Sequence, residues 1–138
     1  MKNNFIPLFF VILLSCTADN VTPTAQVTDP FDPTQAVLLK EGILMGIGHT
    51  VSGKVGIYDD HGTKVVLLDP YESQSGPDLK VYLSKDINAS EYIKLGKLKS
   101  TMGKQSYNIP GSPDLTQYNY VHIWCEQFTV VFGQAEVH

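Results

Sequence analysis

From residue 36 onward, apolar and polar side chains alternate in short runs broken by Gly, Pro, Asp and Asn. A period of two puts successive side chains on opposite faces of an extended chain, so these runs predict half-buried β-strands. Val51, Gly53, Val55 and Ile57 share one face, with Thr50, Ser52, Lys54 and Tyr58 on the other. Asp59-Asp60-His61-Gly62 supplies a hairpin turn into the run 64–68. Leu79, Val81 and Leu83 alternate with Lys80, Tyr82 and Ser84. Further strands are predicted over 36–39, 43–45, 106–109, 121–125, 128–132 and 136–137. Residues 90–99 read either as a helical turn, from Leu95 and Leu98, or as a strand interrupted by Gly96. Eight or nine short strands at this spacing predict an all-β domain. A two-sheet antiparallel β-sandwich, jelly-roll-like, is the expected architecture.

The first residues follow a different pattern. Lys2 precedes an apolar stretch that ends in Leu13-Leu14-Ser15-Cys16. The stretch is shorter than the roughly 20 residues a membrane-spanning helix needs, and its basic start and small residues fit a secretory signal. The ending resembles a bacterial lipobox, so residues 1–16 are expected to be a lipoprotein signal, with Cys16 acylated as the new N-terminus. Each buried methylene contributes about 0.8 kcal/mol, and several acyl chains together hold a soluble domain in a lipid bilayer. Residues 17–35 are polar and carry three prolines, which predicts a flexible tether before a domain over 36–138. The expected location is the extracytoplasmic side of a bacterial cell envelope.

Composition narrows the function. The domain is long enough for a single core and too short for a second one. Ten lysines stand against no arginine, and the net charge is −4. A mildly acidic chain without guanidinium forks excludes nucleic acid as the expected partner. No catalytic triad elbow, phosphate-binding glycine loop, dinucleotide fingerprint or Cys-x-x-Cys-His motif is present, which argues against an ordinary hydrolase or nucleotide enzyme.

Once Cys16 is assigned to the anchor, Cys125 is the one remaining thiol. In Tyr120-Val121-His122-Ile123-Trp124-Cys125, period two groups Val121, Ile123 and Cys125 on one face and His122 with Trp124 on the other. Cys125 therefore reads as a core thiol, or as a redox group if a cation, metal or haem lies beside it. His49 follows Gly46-Ile47-Gly48, where glycines let a ligand approach, and a turn hydrogen bond is the simpler reading. His61 and His138 read as a solvated turn residue and a terminal one. No histidine pair has the close spacing of a structural zinc site. Asp78, after Gly76-Pro77, reads first as a turn organiser and is also a candidate pocket residue.

Several blocks in order carry a family resemblance. They are Gly48-His49-x-Val51-Ser52-Gly53, Gly76-Pro77-Asp78-Leu79-x-Val81-Tyr82-Leu83-Ser84, Leu95-Gly96-x-Leu98-Lys99, and Gly103-x-Gln105-x-Tyr107-x-Ile109-Pro110. The last is Val121-x-Ile123-Trp124-Cys125-x-x-Phe128-x-Val130-x-Phe132-Gly133-x-Ala135. Together they resemble the DM-thirteen domain from about Glu41 to the C-terminus. The resemblance implies a β-sandwich with an electron-transfer role centred on the family cysteine, here Cys125. Haem is the candidate cofactor it implies, with His49 or His122 as the second ligand and Trp124, Tyr82 and Phe128 lining the pocket. Any electron partner would be a separate protein. The competing expectation is an envelope binding or adhesion module that uses Tyr58, Tyr82 and Trp124 as exposed contacts and Cys125 only as core.

Overall fold

A computed structural model describes residues 20–138, so Cys16 and the predicted signal lie outside the described residues. Nine strands follow one another: β1 Val27–Thr28, β2 Val37–Gly46, β3 Val51–Asp60, β4 Thr63–Ser73 and β5 Leu79–Ser84. After them come β6 Tyr92–Lys97, β7 Gly103–Asn108, β8 Tyr120–Cys125 and β9 Val130–Glu136. Among the described residues a single 3-10 turn, Pro33–Gln35, is capped by the Asp32 side chain. Residues 90–99 resolve as the Gly-interrupted strand: Gly96 has φ 144°, and the β5–β6 register shifts there, between Val81 and Tyr82.

All nine strands belong to one sheet, in the order β1-β7-β4-β3-β2-β9-β8-β5-β6. Only β1 with β7 is parallel. The expected pair of sheets is thus corrected to one curled, mixed sheet, a half-barrel. The cause lies in β2, which pairs with β3 along nearly its whole length and with β9 at Met45 and Gly46. Backbone bonds between Glu41 and His138 continue that seam. A sandwich would break the ladder at that point. Register shifts in β2, β3, β5 and β8 bend the sheet, since an extra residue on one strand increases local twist.

Curling brings the β6 and β7 ends together. The backbone N–H of Lys99 donates to the Tyr107 hydroxyl at 2.9 Å and to Gln105 Oε1 at 3.1 Å. Inside the curl, Val55, Ile57, Val66, Leu68, Val81, Leu83, Val121 and Ile123 are fully or nearly fully buried. Burying each such side chain contributes about 1.5–3 kcal/mol.

Residues 20–35 were expected to be tether, and the structure corrects this. Asp78 N–H donates to Asn20 O at 2.7 Å, Thr101 N–H to Pro23 O at 2.9 Å, and Val27–Thr28 pairs with Gly103–Lys104. The Asp29 carboxylate accepts from the Ser106 N–H at 2.9 Å and hydroxyl at 2.8 Å. The segment lacks apolar density but satisfies the open edge of the sheet with its own backbone groups, a use in which proline is tolerated.

Candidate functional site

The β8 strand separates the expected site residues into two environments. Val121, Ile123 and Cys125 point into the core with no exposed surface. Cys125 stands opposite Leu79 and Val130, and its thiol donates to the Pro77 carbonyl at 3.0 Å. His122, on the other face, is equally buried. Ser84 Oγ donates to the Asp86 carbonyl at 2.8 Å and lies 2.7 Å from His122 Nε2, which makes the imidazole the donor there. Burial holds the His122 pKa below its usual value. His49 sits in the β2–β3 loop, its Nδ1 3.0 Å from Ile47 O and its ring stacked 3.7 Å over Phe132.

Haem does not fit this arrangement as a Cys125-centred cofactor. The thiol is enclosed by strand neighbours and committed to a carbonyl, and the His49 ring is packed on Phe132. His122 faces away from Cys125, as the alternation of β8 requires. Cys125 lines none of the main surface clefts. Among the described residues, no group of three or more His, Cys, Asp or Glu is placed to hold a metal ion.

What the structure does assemble is a row of rings across β6, β5 and β8. Tyr92 stacks on Tyr82 with centroids 4.2 Å apart and planes 5° from parallel. Tyr82 in turn faces Trp124 at 5.8 Å, and Trp124 meets His122 edge-on at 6.4 Å. Tyr82 is a diagonal neighbour of Tyr92 and of Trp124 on adjacent strands, while His122 and Trp124 are next but one on the same face of β8. Tyr82 is 3% exposed, which corrects the expectation that it is a surface contact residue. Tyr58 is half-buried, packed edge-to-face on Phe31.

The polar end of the row is charged. The Tyr82 hydroxyl donates to Glu126 Oε1 at 2.6 Å. Lys94 Nζ lies 2.5 Å from the same oxygen, and Lys80 Nζ is 3.7 Å from Oε2. Lys80 also pairs with Asp78, which has φ 56° and lines a separate cleft beside Asn20, Val21 and Leu79. Burial, followed by the bond to Glu126, pushes the Tyr82 phenol far above its usual range. The Lys94 bond, then the Tyr82 bond, holds Glu126 below the ordinary carboxylate value. A groove of about 310 Å³ opens here, lined by Tyr82, Ala89, Tyr92, Trp124, Glu126 and Thr129. Of the expected pocket residues, Tyr82 and Trp124 line it. Phe128 does not, because it sits 62% exposed in the β8–β9 turn.

Tyr92, Glu126, Lys80 and Lys94 were missed in the sequence. Parity offered a signal for Glu126, since 122, 124 and 126 continue one face of β8. Tyr92 offered none, because its strand was itself ambiguous.

A family model described as Electron transfer DM13 matches residues 44–137. No curated protein and no solved structure matches the chain.

Proposed function

The chain belongs to the Electron transfer DM13 family, and from that premise we propose that it is a non-enzymatic one-electron carrier, tethered extracytoplasmically through acylated Cys16. The observation that carries this reading is the stacked row Tyr92–Tyr82–Trp124 with a carboxylate bonded to its central phenol.

Stacked rings at these separations offer an electron a continuous path from the exposed Tyr92 to the buried end of the row. Oxidation of Tyr82 by a metal centre of a partner protein in a high-valent, strongly oxidising state removes one electron from the ring. The phenol radical cation is a strong acid, so its proton passes along the hydrogen bond to Glu126. The products are a neutral Tyr82 radical, a protonated Glu126 and the reduced metal centre. A metal centre of a partner protein in a reduced state returns the electron, and the proton moves back. Lys80 and Lys94 hold Glu126 anionic in the resting state, ready to accept.

Cys125 on this reading is a core residue that fastens the Pro77 turn. Laser flash oxidation of the full chain by a ruthenium photo-oxidant tests the assignment through transient absorption. Tyr82→Phe should remove the tyrosyl signal and slow hole transfer roughly tenfold, equivalent to about 1.4 kcal/mol on the barrier. Cys125→Ala should leave both unchanged. The reverse pattern would assign the redox role to the thiol.

A further inference from the structure

Antiparallel pairing gathers the ends of eight strands at one pole of the half-barrel. Backbone bonds link its loops in turn: Ile47 N–H to Phe132 O, Gln74 N–H to Thr50 O, Ser73 N–H to Thr101 O, and Glu126 N–H to Asp78 O. The first described residues dock at this same pole, through Asn20 O and through Thr22 N–H to Gly76 O. Only residues 17–19 separate Cys16 from that docking point. Four Cα steps span at most about 14 Å. The eleven residues of β4 alone extend about 36 Å. An acyl anchor at Cys16 therefore leaves no room for the domain to stand clear of the lipid.

The pole's surface suits that position. Val21, Met45, Ile47, Met102, Phe128 and Val130 are exposed there by 37–62%. Its four loops carry two acids, Asp78 and Glu126, both bound to lysines, and the adjoining end of β4 adds exposed Glu72. The opposite loops and strand ends hold Asp59, Asp60, Asp86, Glu91 and Asp114. Lys64 and Lys85 pair with Asp59 and Glu91 there, but among the described residues Asp60, Asp86 and Asp114 have no lysine bound, so anionic headgroups disfavour that end relative to the more apolar one.

We infer that this pole lies against the headgroup layer of the bilayer holding acylated Cys16, with Phe128 and Val21 entering its apolar boundary. The inference rests on the lipid-anchor reading of Cys16. It fixes the orientation of the domain: the aromatic groove, which runs from Ala89 to Thr129 along the side, faces laterally along the membrane.

The test uses full-length protein reconstituted in vesicles of phosphatidylethanolamine and phosphatidylglycerol containing brominated lipid. In a Trp124→Phe background, Phe128→Trp should lose most of its emission to the bromine, while Gln117→Trp in the distant β7–β8 loop should keep it. Hydrogen exchange of the unaltered protein supplies a second reading, with loops 47–50 and 126–129 protected in vesicles relative to detergent. Protein that floats with vesicles, carries acyl mass on Cys16 and shows neither effect would overturn the docked pole and leave the anchor standing. Protein lacking acyl mass and failing to float would remove the anchor and, with it, the inference.

Discussion

One peptide unit in β8 separates two chemistries. Trp124 stands in the aromatic row, while Cys125 is sealed in the core with its hydrogen directed at Pro77. A thiol so enclosed should be silent toward an aromatic disulfide reagent in the folded protein and should react fully in urea. Cys125→Ser should cost about 1–3 kcal/mol in chemical denaturation, because a more polar hydroxyl enters the same apolar enclosure. His122 gives a pH signature. Burial depresses its folded pKa, so below the usual value of 6.5 the unfolded chain binds more protons. The stability contributed is complete above that pH and falls as pH drops through it, with a limiting slope of about 1.4 kcal/mol per unit. His122→Gln should flatten the acid side of the stability profile below about pH 6.5, read by urea midpoints. Period two along β8 was enough to foresee that Cys125 points inward and away from His122. It did not foresee the burial of Tyr82, because the covering ring of Tyr92 arrives from a neighbouring strand.

At the scale of elements, the segment 20–35 carries the main correction. Sequence pattern registers side-chain burial, and this segment binds chiefly through backbone groups and one carboxylate. Burial alone would raise the Asp29 pKa, but hydrogen bonds from Phe31, Ser106 and Lys99 outweigh it and hold the group at about 2. That depressed value means its contribution is present above the unfolded value of 3.8 and is lost as pH falls toward 2. Asp29→Ala should lose about 1–3 kcal/mol and open residues 20–35 to proteolysis at neutral pH, while β2–β9 stay protected from hydrogen exchange. The strand content was readable because alternation is local. The joining of β2 to β9 was not, since a two-sheet and a curled one-sheet arrangement demand the same alternation from each strand.

For the whole molecule, curling decides where function can sit. The concave side is filled with aliphatic side chains, so it leaves no cofactor chamber around Cys125. The outer face of β5, β6 and β8 is thereby left as the place where rings, a carboxylate and two lysines meet. With residues 20–35 bound to the sheet, a lipid-anchored domain would meet its redox partner sideways, at the Tyr92 end of the row. The identity of the radical formed on one-electron oxidation tests this account. Freeze-quenched electron paramagnetic resonance of the photo-oxidised full chain should show a tyrosyl spectrum that narrows with ring-deuterated tyrosine, disappears in Tyr82→Phe and survives in Cys125→Ala. A signal that instead survives in Tyr82→Phe and vanishes in Cys125→Ala would contradict it.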